Sequence, residues 1–267
     1  MAHQLNSESE PFSKSSSKTS AAIEFNFLTL FPELFSGALS SSLLGKAEKK
    51  GLVSFKLTQV RDFATSKHHT VDDTPYGGGE GMLMKVDVLH SAWKSISESS
   101  PTDKVITLLL SPQGAVFNQE MARELSHYSK IIFVCGHYEG VDERFIQLCV
   151  DREVSIGDYI LTGGELPALV MADTIARLIP GVVGNDQSVS RDSLENGLVK
   201  YPQYTRPRDF QGSSVPDVLL SGDHQAIQRW RDQEMLDRTR QKRPDLWEKY
   251  VAENPPPPPG KKTGKKA

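Results

Sequence analysis

A parallel α/β fold is predicted for this 267-residue chain by three observations. Apolar runs of strand length alternate with helical patterns, glycine-rich loops follow two of those runs, and a polar connector leads into a smaller helix-rich region near the end. In βαβα order each helix carries the chain back to the same edge, so successive strands lie parallel in one sheet.

The elements follow in order. Residues 25–30 read as a first strand, 32–50 as a helix and 53–60 as a second strand. A helix is expected at 85–97, a strand at 105–110, a helix at 118–125 and a strand at 131–134. The weaker apolar run 154–156 is a further strand. A helix over 167–178 carries Leu169, Val170, Ile175 and Leu178 and stops at Pro180-Gly181. The stretch 184–197 is polar and reads as a mobile connector. Beyond it, Ser221 or Asp223 caps a helix running to about residue 241. Its apolar positions are Ile227, Trp230 and Leu236, with Arg229, Arg231, Arg238 and Arg240 around them.

Composition narrows the function classes. The absence of a long uncharged apolar run argues against a membrane span. Two cysteines, Cys135 and Cys149, are too few for a disulfide framework and point to a reducing cytoplasm. The net charge of −3 does not advertise nucleic-acid binding, but from residue 200 onward there are 14 Lys/Arg against 9 Asp/Glu. That asymmetry fits either a basic RNA-contacting half or a charged, solvated helix surface. Residues 1–22 are Ser-rich with no apolar segment for a secretory signal, and disorder is expected there. The end, five prolines followed by G-K-K-T-G-K-K, is expected to be a solvated polyproline II spacer with a basic tip.

The densest signal lies at 135–165, where C-G-H-Y-E-G-V-D-E-R and S-I-G-D-Y-I-L-T-G-G-E place five glycines in loops after two strands. Glycine lets backbone approach a flat ligand or another loop, since it has no Cβ and tolerates positive φ. Tight turns alone would account for a lone pair of such loops, but the polar company of Tyr138, Glu139, Asp142, Glu143, Arg144, Asp158, Tyr159 and Glu165 points to a ligand. Neither loop matches a dinucleotide fingerprint or a P-loop, which argues against a phosphate cradle. Ligands of parallel sheets bind beyond the carboxyl ends of the strands, and 111–114 and 136–140 fall on one such rim. His68 and His69 lack a third and fourth ligand at zinc-like spacing, so no metal centre is expected from them.

Ordered blocks carry a family resemblance: L-T-L-F-P-E at 28–33, R-D-F at 61–63, V-D-D-T-P-Y-G-G-G-E-G-M at 71–82 and S-P-Q-G at 111–114. After the two glycine loops come A-R-L-I-P-G-V at 176–182, D-S-L at 192–194 and Y-T-R-P at 204–207. With these blocks, over residues 23–250, the chain closely resembles the bacterial tRNA (guanine-N1)-methyltransferases of the SPOUT superfamily. The resemblance implies S-adenosylmethionine-dependent methylation of the guanosine at tRNA position 37, 3′ of the anticodon. It also implies a deep trefoil knot, with the segment 155–164 threaded so that three loops meet on one cofactor. The implied organisation is a disordered extension 1–22, a knotted cofactor-binding domain 23–184, a linker 185–197, a helical tRNA-binding domain 198–252 and a disordered tail 253–267. An obligate homodimer with sites across its interface is implied, as is a magnesium requirement, although no cage for that ion is legible. Lys200 stands where family members commonly carry an acidic residue.

Methylating guanine N1 requires a base near N1 and a positive or hydrogen-bonding group near O6, where negative charge builds. By match to the family blocks, Asp192 is the expected base and Arg177 the expected O6 partner. From their surroundings alone, an exposed or capping Asp and an ordinary surface ion pair are the default readings. The implied cofactor residues are Leu110, Pro112, Gly136, Tyr138, Glu139, Gly140, Ile156, Gly157, Asp158, Tyr159, Ile160, Leu161, Gly163 and Gly164. Leu110, Ile156 and Leu161 offer an apolar slot for adenine, and Glu139 a charge partner for the ammonium or a support for a bent methionine tail. The 76–81 turn, otherwise a plain surface loop, is implied to line the tRNA or cofactor side. Two competing readings are a knotted methyltransferase for another RNA nucleotide and a noncatalytic RNA-binding relative. The D-S-L and Y-T-R-P blocks argue against the first, and Asp192 with Arg177 against the second.

Overall fold

The computed structural model describes residues 23–98, 104–184, 193–194 and 196–255. A five-stranded sheet of order β2-β1-β6-β5-β7 organises the first half. Its strands are β1 (Ile23–Thr29), β2 (Val53–Gln59), β5 (Val105–Val116), β6 (Lys130–Val134) and β7 (Arg152–Ser155), and every pairing is parallel. The expected α/β class with a parallel sheet is what the chain adopts.

Strands buried on both faces must be apolar on both, and their side chains divide by parity. Phe25 and Phe27 of β1, Ile131 and Phe133 of β6, and Ile106 and Leu108 of β5 join one core cluster. Leu28, Ile132, Val134 and Leu109 join the other. Stacked rings of Phe25, Phe27 and Phe133, with centroids 5.3 and 6.3 Å apart, fill the first layer. Over it lie α1 (Glu33–Ser40), α2 (Ser42–Lys49), α4 (Gln119–Leu125) and α6 (Glu165–Ala176). The second layer is closed by α3 (Val86–Ser97), α5 (Glu143–Cys149) and a 3-10 turn over Val60–Phe63.

Several elements differ from the sequence expectation for local reasons. The single helix expected at 32–50 is two, because Ser41 is extended and Ser42 takes φ 51°. Three successive serines break the pattern, and Ser40 turns its hydroxyl back onto Ser36 O at 2.6 Å instead of favouring helix continuation. Strand β5 runs on to Val116 instead of stopping at residue 110. Leu110 and Ala115 both pair with Val154, so S-P-Q-G bulges out between them and a proline in this strand escapes the ladder. Small antiparallel pairs also form, β3 (Asp72–Asp73) with β4 (Leu83–Met84) and β8 (Asp209–Phe210) with β9 (Ser213–Ser214). Two-residue strands carry no periodicity from which to expect them.

The C-terminal segment contains α7 (His224–Lys242) and α8 (Pro244–Glu253). Asp223 caps α7, its carboxylate accepting from the backbone N–H of Gln225 and Ala226 at 2.9 and 3.0 Å. Thr239, fully buried, accepts from Val199 N at 2.9 Å and ties the start of the segment to α7. The Arg231 guanidinium lies 5.0 Å over the Tyr201 ring. Among the described residues from 200 to 255, 10 Lys/Arg face 9 Asp/Glu, so the positive surplus of this half comes from four lysines between 261 and 266.

At the other end of the sheet Lys130, with a side chain 3% exposed, donates to Ile96 O and pairs with Glu24 at 3.0 Å. Burial would push the Glu24 carboxyl up, but hydrogen bonds from Lys56, Asn26 and Lys130 outweigh it and hold it at about 2. A folded value below the unfolded one contributes stability that is complete above the ordinary value of 4.5 and fades as pH falls towards 2. Glu24→Gln should therefore cost about 1–3 kcal/mol at pH 7 by leaving a buried ammonium facing a neutral amide. Thermal melts from pH 7 to pH 2.5 should show the wild type losing its advantage over the variant across the acid range. A constant gap would separate Glu24 from the acid response.

Candidate active site

The rims of β5, β6 and β7 meet at a cleft of about 370 Å³. Its walls are 109–113 from β5, the 136–141 loop after β6, and 153–157 with 159–164 between β7 and α6. Of the fourteen expected cofactor residues, all line this cleft except Asp158, which is exposed outside it. Leu110, Ile156 and Leu161 contribute apolar wall, while Tyr138, Glu139 and the glycine backbones contribute polar groups.

Two glycines are needed here because backbone passes backbone. A Cβ on Gly114 would run into the Glu153–Val154 peptide, and one on Gly164 would sit 2.6 Å from Cys135 Cα. Gly164 N also donates to Gly136 O at 3.1 Å, locking the third loop onto the second. The turn of the third loop is braced locally, with Gly157 N donating to Ser155 Oγ at 3.2 Å and the Tyr159 hydroxyl to Ile156 O at 3.3 Å.

The 76–84 segment is fastened to the cleft from outside. Glu139 N donates to Met82 O at 3.0 Å, Met84 N to Gly140 O at 3.0 Å and Asp142 N to Met84 O at 3.2 Å. Gly81 lies so close to the Glu139 side chain that a Cβ there would strike it. The Y-G-G-G-E-G turn thus borders the 136–140 loop, with Tyr76 at its tip 99% exposed.

Beneath the cleft lies a polar cluster that sequence reasoning passed over. Glu165, 2% exposed in the first turn of α6, receives the Thr29 hydroxyl at 2.6 Å. Both its carboxylate oxygens lie 2.8 Å from Nε2 of His137. Thr29 Oγ1 in turn accepts from Phe31 N at 2.9 Å, and the Phe31 ring sits 4.8 Å from that of His137. Glu165 had stood out only as one polar residue among many, and no spacing rule links two residues 28 apart. Cys135 is wholly buried beside it, and burial together with the Glu165 charge pushes its thiol well above the ordinary cysteine range.

Of the expected catalytic pair, Arg177 does not line the cleft. Arg177 is exposed at the C-cap of α6, roughly 18 Å of helix from Glu165 at 1.5 Å per residue. Asp192 lies outside the described residues. Val170, expected among the packed positions of its helix, is 48% exposed, and with Leu166, 55% exposed, forms an apolar outer stripe on α6. Among the described residues no cluster of three or more His, Cys, Asp or Glu forms a metal cage, and no helix is long and apolar enough to cross a membrane.

The family model for tRNA (Guanine-1)-methyltransferase TrmD matches residues 23–249. A tRNA (guanine-N(1)-)-methyltransferase of Ruminiclostridium cellulolyticum is 52% identical over 87% of this chain and 99% of its own length. Those of Staphylococcus haemolyticus and Geobacillus kaustophilus are each 51% identical over 85% of this chain, covering 92% and 93% of their own.

The contact at Gly114 sets a stability test. Gly114→Ala should cost about 1–3 kcal/mol, because its methyl group meets peptide backbone that cannot rotate aside. Gly37→Ala, in α1 with nothing within 4 Å of the new Cβ, should be neutral or stabilise by up to about 1 kcal/mol. Denaturant melts of the two variants should move in opposite directions. Equal midpoints would mean that the β5–β7 approach is looser than it stands.

Proposed function

The chain belongs to the tRNA (guanine-1)-methyltransferase family, and from that premise we propose that it methylates N1 of guanosine 37 in tRNA with S-adenosylmethionine as donor. The observation that carries this is the coincidence of a family match across residues 23–249 with a cleft built from the three glycine-bearing loops. The cleft residues suit the donor: Leu110, Ile156 and Leu161 face a flat apolar group, glycine backbone offers close hydrogen bonds, and Glu139 faces an ammonium. The donor, when bound, supplies a methyl group already activated by its sulfonium charge.

The chain's own task is positioning and proton handling. The loops lining the cleft would hold the donor and shield it from water. Asp192 takes the N1 proton as the N1–methyl bond forms and the sulfur–methyl bond breaks, and Arg177 donates to O6 as negative charge builds there. A knotted path for 155–164 is part of this reading, supported by the tight passage of Gly164 against Cys135 and Gly136. Residues 23–184 form the cofactor-binding domain, 185–197 the linker and 198–252 a tRNA-binding domain, and the enzyme works in the cytoplasm.

Two copies make the site. Arg177 stands far along α6 from Glu165, and Leu166 and Val170 on α6 with Tyr159 and Ile160 at the cleft are exposed apolar side chains that a second copy would cover. The linker of one chain then brings Asp192 to the cleft of the other.

Labelled methyl transfer to tRNA transcripts differing only at position 37 tests the assignment, with incorporation expected for guanosine alone. Asp192→Asn should keep S-adenosylmethionine binding and lower turnover by about 10²–10⁴-fold. Turnover within a few-fold of wild type would remove Asp192 from the base role. Mixing inactive Gly140→Trp chains with inactive Asp192→Asn chains should restore one working site per heterodimer. A mixture that stays inactive after verified subunit exchange would place each site within one chain.

A further inference from the structure

We infer that His137 is a positioning residue for the methyl donor, holding the 136–140 loop in its receiving form through the buried carboxylate of Glu165. The inference rests on the S-adenosylmethionine reading above and gives one side chain of that site a role.

Backbone hydrogen bonds tie the loop at Gly136, Glu139 and Gly140, and its side-chain anchor is His137. Gly136 and Gly140 contribute no side chains, and Tyr138 sits at φ 60°, a left-handed conformation that costs roughly 1 kcal/mol for a residue with a Cβ. Such a conformation persists only where its surroundings enforce it. Its neighbour His137 adds side-chain enforcement to those backbone bonds, because its Nε2 meets both oxygens of Glu165 at 2.8 Å and its ring packs on Phe31 at 4.8 Å. Glu165 is a fixed anchor: it is 2% exposed, set in the first turn of α6, and held from the other side by the Thr29 hydroxyl at 2.6 Å.

The same pair also touches the third loop. A Cβ on Gly163 would strike both the His137 ring and the Glu165 carboxylate. The hydrogen-bonded His137–Glu165 pair, with Thr29, therefore joins the end of β1, the loop after β6 and the loop before α6, and the latter two wall the cleft. Without the His137 donor, the 136–140 loop samples other conformations, and a ligand that needs one of them binds more weakly by the fraction populated.

The experiment uses the full chain, S-adenosylmethionine and calorimetric titration beside steady-state kinetics. His137→Phe keeps a ring and removes the donor, so the donor's Kd and KM should rise about tenfold or more while kcat at saturation stays within about threefold. His137→Gln keeps an N–H donor and should bind within about threefold of wild type. Glu24→Gln, at the opposite end of the sheet, should lower the melting temperature with the donor's Kd unchanged. The inference is overturned if His137→Phe binds within twofold of wild type, if Gln is as weak as Phe, or if Glu24→Gln weakens binding in step with its lost stability. Failure of the wild-type chain itself to bind S-adenosylmethionine would instead sink the proposed function, and this inference with it.

Discussion

Close passage of one backbone against another is the constraint on which the cleft depends. The chain crosses itself at Gly114 beside the Glu153–Val154 peptide and at Gly164 beside Cys135, with no room for a Cβ at either place. Those two crossings bring the edges of β5, β6 and β7 together, and the loops that follow them inherit their positions. The apolar layers on either side of the sheet make this possible by fixing the strands before the loops are placed: Phe25, Phe27 and Phe133 on one face, Leu28, Ile132 and Val134 on the other.

Much of this architecture is legible in the chain itself. Strands buried on both faces write themselves as continuous apolar runs, so 105–110 and 131–134 stand out and imply a parallel sheet. The extension of β5 through S-P-Q-G was not legible, because proline and glycine read locally as a turn and only the pairing of both Leu110 and Ala115 with Val154 makes them a bulge. The break at Ser41 was also hidden, since each serine is individually tolerable in a helix. At the site, glycine density and the family blocks led to nearly all the cleft walls. They did not lead to His137 and Glu165, whose meeting is a product of three-dimensional crossing and leaves no periodic trace.

The two halves of the chain are built on different principles. The first hides its polar groups in satisfied networks, as where Trp93 donates to Thr107 Oγ1 at 3.0 Å and Asp151 receives Thr107 N at 2.7 Å. The second has few fully buried residues and covers its surface with nearly balanced charge, including the Arg208–Asp217 and Arg243–Asp245 pairs. Over its described residues, attraction of such a surface for a polyanion comes from where the cations stand, since 10 Lys/Arg against 9 Asp/Glu leave almost no net charge.

Burial of Cys135 has a consequence for durability. A sulfonium donor is an alkylating agent, and the thiolate is the form of cysteine that attacks such electrophiles. Cys135 stands directly before the Gly136 rim, yet it is sealed from the cleft, and the neighbouring Glu165 charge reinforces burial in keeping its proton on. The arrangement that anchors the loops also removes the nucleophile closest to them in the chain, so the protein is shielded from methylating itself there.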